Sequence, residues 1–450
     1  SPNRGYSRLP HLWFMERIID ICGHELGIPA DEIRLRNYIK EFPYTTPNGC
    51  VYDSGDLPMM LKKAKALVGW DEWKKKQAEA RKEGRYIGIG IGTTLDSGTN
   101  NFGQSQIINP FLPFTGQSVA STAKLDLDGT VSIAVGSFPQ GQGHETTSAQ
   151  VVAEVLGIDT DFINVKTGFD TMRNSHTGTS GTYASQFAVT GLSAVHGAAI
   201  KLRNEMKKLA AFSLEANEDD LEFGVGEMGP ELRVKGSPDK NVNFWALANM
   251  VNYNTAILPD ELRDLHLNVR HVYVAPFQTV DIEKKYGNLT LTYAMQLHIA
   301  VIELNKETAQ TKVLDYGIID DCGTVINHMI VEGQSHGGAG HGIAASLLEA
   351  MPHDKEGNVI CGSFTDYAPI TINNMPDLKY ENMESPSPFS YNGAKGMGEG
   401  GGAPLLSISA AMQDALYEDG IIIQNSHHSP MFLFEVLKDY KDNPVSLESR

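Results

Sequence analysis

The stretch YNGAKGMGEGGGAP at residues 391–404 places six glycines around one carboxylate, that of Glu399. Each glycine adds backbone freedom that folding must remove, so an ordered helix or strand is disfavoured there. Because glycine has no side chain, a large group can approach the main chain closely at this point. The stretch therefore predicts either a surface loop or a turn that presents Glu399 to a bulky bound group.

Three further segments combine glycine with small polar residues. We predict FPQGQGHETTSAQ (138–150) and VEGQSHGGAGHG (331–342) as glutamine-bearing loops that each run into a helix, and NSHTGTSGTYASQ (174–186) has the same character. Free main-chain N–H groups at helix starts bind phosphates and other anions, and glutamine amides add donors and acceptors without charge. One such loop alone is more often structural than functional. Together they predict a large, polar, multiply anionic ligand between subdomains.

The composition is that of a globular protein with a large core and two or more subdomains. The 450 residues include 37 Lys and Arg against 55 Asp and Glu, a formal charge of −18, which disfavours nucleic acids and anionic membranes. We expect no membrane insertion and no signal peptide. The four cysteines are scattered without a CxxC pair, so disulfides, an iron–sulfur cluster and structural zinc have no basis. A cytoplasmic location is expected.

Hydrophobic periodicity and turn signals predict a mixed order of elements, which favours α+β over a doubly wound sheet. Strands are predicted over 86–95, in a hairpin over 118–137 with its turn at Asp128-Gly129, over 161–168, and from 287 to 320. Helices are predicted over 11–25, from 29–32 onward, over 56–85 on the surface, and over 143–158, 185–212 and 405–420, while the glycine-rich segment 332–351 is predicted to lead into a further helix.

Two short motifs are rejected. GIGIG at 88–92 lies inside a predicted strand and lacks the third glycine of a dinucleotide fingerprint, so a strand packed against another backbone is favoured. HETTS at 144–148 has Ser148 where a zinc-binding helix requires its second histidine.

Four motifs occur in an order that resembles a known family. FPYTTPNGCVYDSGD, QGQGHETTSAQ, DDCGTVINHMIVEGQSHGG and GAKGMGEGG are similar to the molybdenum-cofactor-binding subunit of the xanthine dehydrogenase and carbon monoxide dehydrogenase family of molybdenum hydroxylases. The resemblance extends over nearly the whole chain. It implies an elongated α+β fold of mixed sheets and helices. It also implies that residues 1–55 end a first cofactor-binding domain, and that 56–450 form a second one with two intertwined subdomains divided near 265.

The resemblance assigns roles to matching positions. Glu399 matches the active-site glutamate, and Arg4 and Tyr6 match a loop beside the metal, at the substrate pocket. Molybdenum is held by the pterin dithiolene and not directly by side chains. The implied cofactor-binding residues are Gln140, Gly141, Gln142, Gly143, His144, Ser180, Gly181, Thr182, Ala184, Ser185, Gln334, Lys395, Gly396 and Gly398.

The family chemistry is hydroxylation with oxygen derived from water. As the resemblance implies, Glu399 removes a proton from a Mo–OH group, hydride passes to a Mo=S ligand, and electrons leave through [2Fe-2S] and FAD subunits. The pterin is expected as the cytosine dinucleotide. The expected substrate is an N-heteroaromatic compound or an aldehyde. Tyr6 either faces a flat substrate or is a packing residue.

Two departures from the family pattern limit this interpretation. Copper-containing carbon monoxide dehydrogenases have a cysteine where this chain has Gly5, so the copper centre is not expected. The family's N-terminal portion is absent from these residues, so a second chain is expected to supply it, unless the sequence is a fragment. The alternatives are oxidation of carbon monoxide or another small molecule without copper, and a cofactor-binding or assembly subunit without turnover.

Overall fold

The computed structural model describes residues 3–5, 8–100, 111–112, 118–173, 182–276, 280–281 and 283–442. Helices and strands alternate irregularly in these ranges, which confirms the predicted α+β class. The helices are α1 (Arg8–Leu26), α2 (Ala30–Asn37), α3 (Leu57–Val68), α4 (Trp70–Lys82), α5 (His144–Leu156), α6 (Thr190–Leu214), α7 (Phe244–Tyr253), α8 (Asp260–Arg263), α9 (His328–Leu347), α10 (Phe364–Tyr367), α11 (Ala403–Leu416) and α12 (Pro430–Asp442). The strands are β1 (Tyr44–Thr45), β2 (Val51–Tyr52), β3 (Tyr86–Asn100), β4 (Ser118–Leu125), β5 (Val131–Val135), β6 (Ile163–Thr167), β7 (Leu221–Gly226), β8 (Gly229–Val234), β9 (Ser237–Asn243), β10 (Asn268–Val274), β11 (Thr290–Asn305), β12 (Gln310–Asp321) and β13 (Leu378–Met383).

A four-stranded sheet of order β13-β12-β11-β3 forms the centre of one core. β11 pairs antiparallel with both β12 and β3, while β13 adds to β12 in parallel. Helices α3 and α4 cover one face of this sheet, and α9, α11 and α12 cover the other. Because both faces are covered, β11 is buried along nearly its whole length and its burial does not alternate.

The glycines of β3 allow α11 to approach the sheet. A β-carbon at Gly90 would overlap the carbonyl oxygen of Ser407, and one at Gly88 would overlap that of Ala411. The prediction of a strand packed against another backbone is therefore confirmed.

A second core surrounds a sheet of order β10-β4-β5-β6, covered by α5 and α6. The predicted hairpin is present, with Gly129 in the left-handed region at φ +87°. β7, β8 and β9 form a separate antiparallel sheet that contributes Leu221, Leu232 and Val242 to this core. The predicted divisions of the chain after residue 55 and near residue 265 stay predictions.

Three predictions of secondary structure need correction. Residues 331–342 are not a loop but lie inside α9, because the Asn327 side chain caps the helix by accepting from the backbone N–H of Ile330 at 3.0 Å. The helix predicted from residue 185 begins at Thr190, after a kinked 3-10 segment at 183–188. The helical region 56–85 is not only a surface element, since α3 buries Leu57, Met60, Leu61, Ala64 and Val68.

Helix α1 attaches the first residues to the central core. The indole N–H of Trp13 donates to Ser409 Oγ at 2.9 Å, and Arg17 donates to Gln413 Oε1 at 2.7 Å, so α1 packs on α11. None of the helices in the described ranges is both long and apolar enough to cross a membrane.

Candidate functional site

A cavity of about 760 Å³ lies where turns from distant parts of the chain meet. Its wall includes residues from the segments 3–4, 140–147, 182–192, 322–334 and 394–399, the last of which is the glycine-rich turn. Among the residues predicted from the resemblance, those on the wall are Arg4, Gln140, Gln142, His144, Thr182, Ala184, Ser185, Gln334, Lys395, Gly396, Gly398 and Glu399. Gly141 and Gly143 belong to the same turn without lining the cavity. Tyr6, Ser180 and Gly181 lie outside the described residues.

The turn that carries Glu399 is fixed through its backbone. The N–H of Glu399 is shared between Asp96 Oδ2 at 3.1 Å and Ser185 Oγ at 3.2 Å. Asp96 lies on β3 and is fully buried, so it anchors the turn to the central sheet. A carboxylate that accepts main-chain N–H groups gives a turn of this kind a fixed position.

The carboxylate of Glu399 is held from two sides. Ala184 donates its backbone N–H to Oε1 at 3.0 Å, and Arg8 Nη1 lies 3.1 Å from Oε2 as an ion pair. Oε2 is buried and has no aligned hydrogen-bond donor, and the side chain as a whole is 16% exposed. Burial and the nearby charge of Asp96 raise the pKa of Glu399 above its usual range, while Arg8 and the Ala184 N–H oppose this rise.

The donor to Oε1 comes from a strained backbone. Ala184 and Ser185 both have positive φ, +51° and +47°, inside the kinked 3-10 segment 183–188. Two successive left-handed residues that are not glycine are costly. Such strain is kept where surrounding contacts enforce it, often at functional sites.

Arg4 links α9 to the Glu399 turn. Its Nε donates to the carbonyl of Gly398, and its Nη2 donates to the carbonyl of Gln334 at 2.7 Å. The Gln334 amide oxygen lies 3.5 Å from the same nitrogen. Gln334 therefore lies in the second turn of a helix, next to Gly398, and not in the loop that the sequence predicted.

The QGQG turn leads directly into α5. Gly143 has φ +69° and precedes His144, the first residue of that helix, and the backbone N–H of Gln140 donates to Gln142 Oε1. His144 is 1% exposed, stacks on Phe187 with ring centroids 3.5 Å apart, and has both ring nitrogens buried without a partner. Burial lowers its pKa to about 4, so the imidazole is neutral near pH 7. It can accept or donate one hydrogen bond towards a group in the cavity.

The ammonium group of Lys395 is engaged by protein atoms. Its Nζ donates to the backbone carbonyls of Ser54 and Tyr293, both at 3.1 Å. The side chain therefore ties the glycine-rich turn to residues 53–54 and to β11, while other atoms of Lys395 contribute to the wall.

The glycines around Glu399 mainly make room for other parts of the protein. A β-carbon at Gly396 would overlap the carbonyl oxygen of Ser185, and one at Gly400 would lie 2.8 Å from Gln296 Oε1. Gly398 differs, since its nearest neighbours are the side chains of Gln334 and Ser185 at the cavity wall. The expectation that these small residues only leave space for a bound group is therefore incomplete.

Sequence reasoning missed Arg8 and Asp96. They form an ion pair with each other, 88 residues apart, and both contact Glu399. No short motif marks them, and the only signal was that Asp96 is the one charged residue in the strand β3. Among the residues that the structure describes, no three His, Cys, Asp or Glu side chains are grouped as metal ligands.

Comparison with known proteins shows the family to which this chain belongs. A family model for the molybdopterin cofactor-binding domain matches residues 63–376. The nicotine 6-hydroxylase large subunit of Paenarthrobacter nicotinovorans is 32% identical over 402 residues, which are 89% of this chain and 46% of that protein. The carbon monoxide dehydrogenase large chain of Hydrogenophaga pseudoflava is 31% identical over 437 residues, 95% of this chain and 51% of that protein.

Solved structures share the fold. Quinoline 2-oxidoreductase from Pseudomonas putida 86 superimposes with a TM-score of 0.81 at 29% identity, covering 97% of this chain and 53% of the other. The Cu,Mo-CO dehydrogenase superimposes with a TM-score of 0.80 at 30% identity, covering 98% and 53%. This chain thus spans about half the length of the relatives that it matches.

Proposed function

This chain belongs to the molybdenum-binding large subunits of the xanthine dehydrogenase family, and from that premise we propose that it is the catalytic subunit of a multi-subunit molybdenum hydroxylase. The proposed reaction introduces water-derived oxygen at an electron-poor carbon of an N-heteroaromatic compound or, less favoured, of an aldehyde. One observation carries the proposal: the carboxylate of Glu399 lies on the cavity wall, with Oε2 buried and without an aligned hydrogen-bond donor. Relatives named for nicotine and quinoline support the substrate class.

The cavity fits a bound molybdopterin. A volume of about 760 Å³ suits a large ligand. The unpartnered ring nitrogens of His144 need a hydrogen-bond partner, and the amides of Gln140, Gln142 and Gln334 stand on the same wall. The N-terminal turns of α5 and α9 also reach the wall, and helix N-termini favour anionic groups. These residues would hold the pterin and its phosphates.

Within this site, the role that we propose for the protein itself is to accept a proton. When bound, the molybdenum cofactor supplies the oxygen-transfer and two-electron chemistry. Glu399 accepts the proton on its carboxylate, which the Ala184 N–H orients at Oε1 and Arg8 pairs with at Oε2. Arg8 stabilises the ionised form of Glu399, so the carboxylate is available as a base in spite of its burial. The side chains of Leu192, Ile326 and Val331 form an apolar part of the wall.

The oxidation of carbon monoxide at a copper centre is disfavoured by the backbone at Gly5. Gly5 has φ +75°, and a β-carbon there would lie 2.7 Å from the carbonyl oxygen of Glu399. A cysteine at this position would be strained and crowded. This contact does not bear on oxidation of carbon monoxide without copper, which stays the alternative to hydroxylation.

A cofactor-binding subunit without turnover is the alternative from another class. Such a subunit would not require a buried carboxylate like that of Glu399, which is held in place by Arg8 and by the N–H of the strained Ala184 backbone. The arrangement around Glu399 favours the catalytic alternative.

We further propose the cytosine dinucleotide form of the pterin, and [2Fe-2S] and FAD subunits as electron acceptors. The part of the relatives that this sequence does not cover would come from a second polypeptide or from the rest of a longer chain. The same proposal places Tyr6 at the substrate pocket and Ser180 and Gly181 at the cofactor. It also includes a cytoplasmic location.

The test is an anaerobic screen of purines, pyridines, quinolines and aldehydes with the purified complex and an artificial electron acceptor. We expect dye reduction with at least one N-heterocycle, ¹⁸O from labelled water in its product, and cytosine released by acid hydrolysis of the cofactor. A complex that contains molybdenum but oxidises none of these substrates would contradict hydroxylation.

A further inference from the structure

We infer that Arg8 and Asp96 are positioning residues for Glu399: Asp96 holds the Arg8 guanidinium against the Glu399 carboxylate and also fixes the turn that carries it. This inference rests on the proposed role of Glu399 as a base. It concerns residues that lie beside the cavity, not on its described wall.

The geometry shows how three elements meet. Arg8, at the first position of α1, places Nη1 against both Asp96 Oδ1 and Glu399 Oε2, and its Nη2 donates to the Ser97 carbonyl at 3.1 Å. Asp96 uses its other oxygen to accept the Glu399 N–H. One buried carboxylate thus controls the backbone of Glu399 directly and its side chain through Arg8.

Burial makes this arrangement strong. Asp96 is fully buried, and the Arg8 and Glu399 side chains are 12% and 16% exposed. Solvent screens such charges weakly, so an arginine beside Glu399 has a large effect on its ionisation. The planar guanidinium can contact two carboxylates and a carbonyl together, whereas a lysine ammonium cannot span them in the same way.

The charges around Glu399 come from several elements. Asp96 on β3 opposes the ionisation of Glu399, while Arg8 on α1 and Arg4 favour it. The carboxylate of Asp320 on β12 in turn stabilises the charge of Arg4. Burial and Asp96 raise the pKa of Glu399, and Arg8 is the largest opposing influence. Loss of the Arg8 charge should therefore raise this pKa further.

The experiment measures the ionisation of Glu399 separately from turnover. Infrared spectra of the purified complex are recorded over a pH series, and spectra of Glu399→Gln are subtracted to isolate the Glu399 carboxyl band. Arg8→Met should move the midpoint of this band upward by about one pH unit or more, and Arg8→Lys by less. The acid limb of kcat/KM should move by the same amount, with the rate recovering at alkaline pH. Arg36→Met, which breaks the exposed pair with Glu32, is the matched control and should leave the midpoint unchanged.

The role of Asp96 is tested in a double-mutant comparison. In the Asp96→Asn background, adding Arg8→Met should move the midpoint by less than half of its effect in the wild-type background, because the guanidinium is no longer anchored. Equal shifts in both backgrounds would overturn the role of Asp96. An unchanged midpoint in Arg8→Met would overturn the whole inference, even if Asp96→Asn fails to fold. A normal rate in Glu399→Gln would instead overturn the proposed role of Glu399 as a base. The shift of the Glu399 carboxyl midpoint in Arg8→Met could still be measured in that case.

Discussion

The backbone N–H of Ala184 donates a hydrogen bond to Glu399 Oε1 at 3.0 Å, across 215 residues of sequence. Ala184 and Ser185 keep positive φ angles to make this contact possible. The two segments interlock further, because the missing side chain of Gly396 makes room for the Ser185 carbonyl. The position of Glu399 therefore depends on the backbone of the 183–188 segment as much as on its own turn.

The strain at Ala184 predicts opposite effects of two substitutions. Ala184→Val should destabilise the chain by about 1–2 kcal/mol, since a β-branched residue is especially unfavourable in the left-handed region. Ala184→Gly should not destabilise it, because glycine adopts φ +51° readily. Thermal denaturation of the two variants side by side measures this difference, and equal losses of stability would contradict the account.

Two glycines should respond to alanine with opposite signs. In Gly396→Ala the new methyl group would overlap the Ser185 carbonyl, so we expect a loss of about 1–3 kcal/mol together with weaker turnover. Gly333 lies inside α9, and a β-carbon added there would meet nothing within 4 Å, so Gly333→Ala should raise the free energy of unfolding by up to about 1 kcal/mol. Chemical denaturation is the measurement. If Gly396→Ala leaves the free energy of unfolding unchanged, the contact between residue 396 and the Ser185 carbonyl is not tight.

His144 should matter for the cofactor more than for the fold. His144→Phe keeps the stacking on Phe187 but removes the two unpartnered ring nitrogens. The loss of one buried hydrogen bond to the pterin predicts roughly 10- to 100-fold weaker retention of the cofactor. Molybdenum content after dialysis would fall, while the thermal midpoint without cofactor would stay the same or rise. Retention equal to the wild type would exclude His144 from cofactor binding.

Buried neutral histidines predict loss of stability in acid. Burial lowers the pKa of His298 and of His428 to about 3, and these two side chains are 0% and 1% exposed. The unfolded chain binds these protons near pH 6.5, but the folded chain does not bind them until about pH 3. Stability is therefore present above pH 6.5 and is lost progressively between these values, at about 1.4 kcal/mol per pH unit for each histidine.

The control for this prediction is His428→Gln, which retains a hydrogen-bonding group near Ser409 Oγ, the partner of His428 Nε2 at 2.7 Å. Unfolding followed as a function of pH should show about one proton fewer taken up in this variant. An unchanged slope between pH 6 and 4 would contradict a depressed pKa at His428.

Elements with strong local signals could be predicted from sequence. The glycine-alternating strand β3, the hairpin at Asp128-Gly129 and the helices α5 and α11 were all visible in periodicity and turn residues. The polar strand β9, with the sequence SPDKNVN, has no alternation that could reveal it. Its register is set by pairing with β8.

The glycine-rich composition of residues 331–342 led to a wrong prediction for the first part of α9. Its many glycines favour a loop, but the helix forms because small residues allow close packing. A β-carbon at Gly342 would lie 2.7 Å from the ring of Pro404 in α11, so tertiary contacts outweigh the low helix propensity of glycine. The ion pair of Arg8 and Asp96 could not be predicted for the same reason, because it forms only when α1 and β3 come together in the fold.

The central claim is that Glu399 is a base at a bound molybdenum cofactor, and Glu399→Gln tests it most directly. Turnover and molybdenum content are measured together on the purified complex. We expect at least about a 10²- to 10⁴-fold loss of turnover, with molybdenum kept at about one per copy of this chain as in the wild type. Normal turnover, or loss of molybdenum together with turnover, would contradict the claim.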